Sequence, residues 1–171
     1  MDGYIFAGWT PEISAVSGDV TYTATFTEVP VTFTIIWKNE DGTELEKDEN
    51  VAYGATPTYD GEAPTKAADT QYTYTFAGWD KEITTVTGNV IYTAKFDKTV
   101  NKYTITWKND DGSVIDTTTV EYGKVPTHAD PTKASTDEFS YEFTGWTPAV
   151  VAVTGNATYK ATFKGNTRTY N

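Results

Sequence analysis

One cassette recurs three times in this chain, and any fold must accommodate that repetition. Its copies run from Phe6-Ala-Gly-Trp9 to Val20-Thr-Tyr-Thr-Ala-Thr-Phe26, from Phe76-Ala-Gly-Trp79 to Val90-Ile-Tyr-Thr-Ala-Lys-Phe96, and from Phe143-Thr-Gly-Trp146 to Ala157-Thr-Tyr-Lys-Ala-Thr-Phe163. Trp9, Trp79 and Trp146 recur at nearly equal intervals, and Phe26, Phe96 and Phe163 keep the same spacing. A fixed period of this size means tandem modules rather than one continuous core.

Within the first copy, Tyr4 and Phe6 alternate with Ile5 and Ala7, and Val20, Tyr22, Ala24 and Phe26 alternate with threonines. That two-residue period predicts strands with one buried face. Between the strands, Pro11 opposes sheet pairing, and Ile13 and Val16 stand three apart, which fits a single helical turn or a plugging loop. Ile83 with Val86 and Val150 with Val153 repeat the pattern, each followed by a Gly-Asn turn.

Two copies of the cassette are preceded by a further patterned half. Phe33, Ile35 and Trp37 share one face of a strand, and Tyr103, Ile105 and Trp107 match them in register. Asn39-Glu-Asp-Gly42 and Asn109-Asp-Asp-Gly112 are hairpin turns, since Asp-Gly suits the backbone of such turns. The chain therefore divides into a partial repeat at 1–30, a full repeat at 31–96, a joint at 97–100, a second full repeat at 101–163, and the opening of another at 164–171. Tyr170 marks that last opening, standing as far beyond Tyr103 as Trp146 stands beyond Trp79. A start in mid-repeat reads as a cut through a longer protein. The stretch from Trp37 to Tyr53 is longer by a single position than its counterpart from Trp107 to Tyr122. One copy must absorb the difference in a bulge or turn, because otherwise every later side chain would change face.

Modules of about 65 residues bury limited apolar surface, and with no cysteine in the chain no disulfide supplements it. The compensation is aromatic: five Trp, twelve Tyr and eight Phe bring large buried areas per side chain. Lack of cysteine also excludes thiolate metal sites and cysteine nucleophiles. The net charge of −11 is spread along the array and repels phosphate backbones and anionic membranes, so no nucleic-acid partner is expected. No apolar run has transmembrane length, and Met1-Asp2-Gly3 is not a signal peptide, so no membrane insertion is expected either.

The ordered run Pro64-Thr-Lys66, Tyr74-Thr-Phe-Ala-Gly-Trp79 and Thr87-Gly-Asn-Val-Ile-Tyr-Thr-Ala-Lys-Phe96 resembles the internalin-type B-repeat (Listeria–Bacteroides repeat) family of bacterial surface proteins. The resemblance covers nearly the whole chain. It implies small β-grasp-like modules, mainly β and at most α+β, strung in an elongated array that projects adhesins from the cell wall. Extracellular location and neighbouring repeats as partners follow from it. The inserts Ala67-Ala-Asp-Thr-Gln71 and Ala134-Ser-Thr-Asp-Glu138 depart from the family pattern.

No catalytic, cofactor or metal site is expected. His128 stands in a Pro-rich loop without an equivalent in the other full unit and is expected to be exposed. The acidic turns lack the alternating ligands of a calcium loop, and Asn156-Ala-Thr158 is an isolated glycosylation-type triplet. Lys38 and Lys108, candidates for an internal isopeptide bond, fall on the strand face opposite the tryptophans. Trp9, Trp37, Trp79, Trp107, Trp146, Phe26, Phe96 and Phe163 are expected to form the module cores, with the glycine before each cassette tryptophan allowing close backbone approach. The alternative is that Trp79 and Trp146 offer an aromatic platform to a host glycan or protein. Two strands alone are rarely stable, so residues 1–28 are expected either to pack on the next unit or to pair head to tail with another copy.

Overall fold

The computed structural model describes the backbone of residues 2–169 and side chains from residue 3; the expected contribution of Tyr170 lies outside them. All regular structure among the described residues is β-strand. Among the described residues, no helix is long and apolar enough to cross a membrane.

Strands β1 (Asp2–Thr10) and β2 (Thr23–Pro30) form an antiparallel pair by themselves. The first full unit builds a four-stranded sheet from β3 (Thr32–Lys38), β4 (Glu44–Ala52), β5 (Tyr72–Trp79) and β6 (Val90–Val100), in the order β4-β3-β6-β5. The second repeats that order as β8-β7-β10-β9, from β7 (Lys102–Lys108), β8 (Val114–Glu121), β9 (Phe139–Thr147) and β10 (Ala157–Thr167). In both sheets the two central strands, one from each half of the unit, run parallel. The chain is thus a tandem of β repeat modules. By contacts, one compact unit takes in residues up to 66 together with 75–97, and the other takes in 67–74 and everything from 98 on. The expected joint at 97–100 is strand, the end of β6.

Each full unit buries the same four-residue hydrophobic cluster and, in addition, one alanine, Ala94 or Ala161. Ile35, Trp37, Val86 and Tyr92 are buried in the first, and Ile105, Trp107, Val153 and Tyr159 in the second. Alternation along β3 and β7 delivers the Ile and Trp. The Val comes from the irregular segment between the last two strands of the unit, which has no helical turn and acts as a plug. In the first unit that plug is pinned by Gly54 N–H donating to Val86 O at 2.7 Å and Val86 N–H donating to Ala55 O at 2.8 Å. Gly123, Val153 and Lys124 repeat both bonds in the second unit.

The difference in hairpin length lies in β4. Phe33 pairs with Val51 but Ile35 pairs with Asp48, so β4 carries an extra residue there. Asn50 takes φ +59 at that point, a left-handed conformation that Asn tolerates better than most residues. The β7–β8 ladder runs without a break from Lys102 to Trp107.

A second bulge explains the Phe-x-Gly-Trp motif. Phe6 and Trp9 are an odd number of residues apart, so a regular strand would place them on opposite faces. Register shifts between Phe6 and Gly8 in β1, and between Phe163 and Thr162 opposite Phe143 and Gly145, restore them to one face. The glycine is required for its backbone, with φ +139 at Gly8 and Gly145. An added Cβ at Gly8, Gly78 or Gly145 would meet nothing within 4 Å, so close backbone approach is not its role.

Two core expectations fail in the partial repeat. Trp9 is 44% exposed and Phe26 60% exposed, because no β3-like strand lies beside β2 among the described residues to cover them. Residues 1–28 therefore do not bury their aromatic face on the next module.

Candidate functional site

The recurring feature is a cluster of rings on one face of each full-unit sheet, buried at its centre and half-buried at its edge. Trp37 is its centre: Tyr92 stacks on it at 4.6 Å and 20°, and Trp79 leans on it at 4.7 Å. Tyr59 closes the cluster, 5.6 Å from Trp37 and 5.0 Å from Trp79, and Phe76 meets Trp79 edge-on at 5.4 Å. The buried indole N–H of Trp37 donates to Asp48 Oδ2 at 2.9 Å, so its polar end is satisfied. Trp107 donates to Thr118 Oγ1 at 3.1 Å. Trp79 and Trp146, expected as buried caps, are half-buried and leave part of each ring at the surface. Phe96 and Phe163 are also half-buried, in edge contact with Phe76 and Phe143.

His128 is not an exposed loop residue. Its side chain is 15% exposed, and its ring lies 5.1 Å from Trp107 and 5.4 Å from Trp146. It occupies the place of Tyr59 and so does have an equivalent. Its Nε2 faces the Asp116 carboxylate at 3.8 Å. The Tyr59 hydroxyl donates to Glu62 O at 2.8 Å, and burial, with the nearby Glu46 and Glu62 charges, raises the phenol pKa.

The acidic turns form a second recurring cluster. Asp41 accepts from the Thr43 N–H, which lowers its pKa, and Asp111 is lowered by the Ser113 hydroxyl and N–H. Lys66 and Lys133, the lysines of the two Pro-Thr-Lys runs, pair with Glu40 and Asp110 of these turns. The Asp110 carboxylate raises the Lys133 pKa. Lys38 and Lys108 are half-buried on their central strands. Among the described residues, no group of three His, Asp or Glu side chains is placed to share a metal ion.

No family model matches the chain, and no curated protein matches it. Among solved structures it is similar to Streptococcal High Identity Repeats in Tandem (SHIRT) domains 3-4 from a cell surface protein, at 14% identity and a TM-score of 0.41. The match covers 80% of this chain and 100% of that one.

One pair of functional side chains is hidden inside an apparent turn signal. Asn89 Oδ1 accepts the Thr34 N–H at 2.8 Å, and Asn156 Oδ1 accepts the Thr104 N–H at 2.9 Å. Each asparagine ties the start of the last strand to the first strand of the same unit. The triplet asparagine Asn156 thus uses its amide oxygen as a strand clamp. Its recurrence after glycine in both full units is the available signal.

Proposed function

We propose that this chain is a run of structural spacer repeats from a bacterial cell-surface protein, a stalk of the adhesin type without catalysis. One observation carries the reading. Three sets of polar groups that recur at equivalent positions in both full units hold their own module together: turn aspartates on turn N–H groups, Pro-Thr-Lys lysines on turn carboxylates, asparagines on a neighbouring strand. A spacer needs core and turn residues to recur and nothing else. The B-repeat resemblance implies cell-wall modules with neighbouring repeats as partners, and the parallel central pair of each sheet is compatible with a β-grasp-like character. The short spacing between repeats supports an elongated array. Small-angle scattering should then give the cross-section of a single module; a globular profile would contradict the proposal.

A second reading, a module for host glycan or protein, is favoured by the part of Trp79 and Trp146 left at the surface. A glycan array combined with tryptophan quenching separates the two. Saturable quenching that Trp79→Ala removes from a folded chain would favour the binding module, and a spacer gives no response.

A further inference from the structure

We propose that the open edge of β8 is a self-recognition surface, on which a second copy of this chain lays its own β8 antiparallel about a two-fold axis at Thr118. β8 is an outer strand of its sheet and, among the described residues, pairs only with β7. Alternation fixes which of its backbone groups are left over. Tyr122 N–H donates to Asn101 O at 2.9 Å, so the even-numbered residues of the ladder direct their N–H and C=O groups at β7. Thr117 and Thr119 therefore direct theirs away from the sheet. Consistently, the Thr117 N–H donates to the Asp116 carboxylate at 2.7 Å, a local bond open to an N–H that no strand uses. Both threonines are exposed, on the sheet face opposite the ring cluster, since Asp116 and Thr118 lie across from Trp107 and Ile105.

What fits this edge is its own sequence. With Thr118 on the axis, Thr117 of each copy stands opposite Thr119 of the other, and Asp116 stands opposite Val120, so no like charges meet. Each Thr117–Thr119 pair exchanges two backbone hydrogen bonds, and facing threonines are a favourable cross-strand pair. The Thr117 N–H gives up the Asp116 carboxylate for a carbonyl of the copy. The first unit shows how the same edge is closed. By register, Glu46-Lys47-Asp48-Glu49 occupy the places of Asp116-Thr117-Thr118-Thr119. Asp48 would meet its own copy on the axis, Lys47 and Glu49 already pair with each other, and Asn50 at φ +59 breaks the line of the strand. On the far side of the two sheets, β5 and β9 carry Gly78 and Gly145 at positive φ. β8 has neither a positive-φ residue nor a charge at its centre. The charge of the units points the same way. Residues 31–96 carry five lysines against eleven acids and residues 101–163 five against eight, so copies repel least through the second unit.

Interfaces this small are weak, so the full chain is followed by NMR as its concentration rises to about 1 mM. The amides of Thr117 and Thr119 should shift and their hydrogen exchange should slow, while those of Lys47 and Glu49 should not respond. Thr117→Glu/Thr119→Glu sets like charges opposite each other across the axis and should weaken association at least about tenfold. Thr117→Lys/Thr119→Lys should do the same. Mixing those two variants sets opposite charges across the axis and should restore association, which a folding defect could not do. The proposal is overturned if the Thr117 and Thr119 amides do not respond to concentration, if the Thr117→Glu/Thr119→Glu variant associates like the parent, or if the mixture stays monomeric. A matching response at Lys47 and Glu49 would also overturn it, since β8 would then be pairing with β4 rather than with itself.

Discussion

Residues 4–26 and 74–96 have closely similar sequences, yet their apolar side chains meet different fates. Both set a phenylalanine against a tryptophan across a glycine of positive φ, with the two rings 5.6 Å apart in the first and 5.4 Å in the second. In the second stretch Val86 and Tyr92 are buried, while in the first their counterparts are an exposed Val16 and a half-buried Tyr22. The difference is one hairpin, β3–β4, which brings Ile35 and Trp37 against the strand and Gly54 and Ala55 against the plug. Cross-strand pairs and turn residues are therefore sufficient for the local register of this cassette. Its burial, and the strand character of Val20 to Tyr22, depend on a partner distant in sequence.

The largest effect should come from removing the hairpin's own anchor. Trp37→Ala or Trp107→Ala should cost its unit about 3–5 kcal/mol in urea unfolding, as for large aromatic truncations in a core. Trp9→Ala, at the cassette position without a hairpin over it, should change either transition by no more than about 0.5 kcal/mol. A comparable loss at Trp9 would break the comparison.

Trp79→Ala should be intermediate, about 1–3 kcal/mol, because part of that ring is already in contact with water. A full loss of core size would mean that Trp79 anchors the module as strongly as Trp37.

The bulge in β4 gives a further contrast between the two full units. Asn50→Val forces a β-branched residue into φ +59 and should cost the first unit about 1–3 kcal/mol. Asn50→Gly should be close to neutral. The second unit has no corresponding bulge, so its transition should not respond to either substitution.

The smallest expected effect concerns the residue on which the two ring clusters differ. The folded Tyr59 phenol has a pKa above its ordinary 10.0, so the folded chain holds this proton more tightly than the unfolded chain does. Its stabilisation is complete below pH 10.0 and is lost as pH rises through the folded value. Tyr59→Phe should flatten the alkaline slope of the first unit's stability. An unchanged slope would show that the phenol is not the responsible group.

Much of this arrangement is legible in the sequence. Two-residue alternation locates the strands, Asp-Gly locates the hairpin turns, and a mismatch of a single position in spacing requires the bulge that Asn50 occupies. The irregular connections are opaque because they have no period. His128 reads as exposed from sequence, since its distance from Trp107 differs from that of Tyr59 from Trp37 and hides their equivalence. Parity also conceals the common face of Phe and Trp, which only a bulge can produce. Trp9 and Phe26 mislead for a different reason: a core residue's environment is set by strands that its own local sequence does not contain.

Hydrogen exchange tests most directly whether the hairpin, and not the cassette, makes the module. Amides of residues 91–94 lie in a central strand, and those of residues 21–24 are their counterparts beside an open edge. The account predicts that 91–94 exchange only when the first full unit unfolds globally, while 21–24 exchange at least about 100-fold faster through local opening. Equal protection of the two stretches in the chain alone would contradict it.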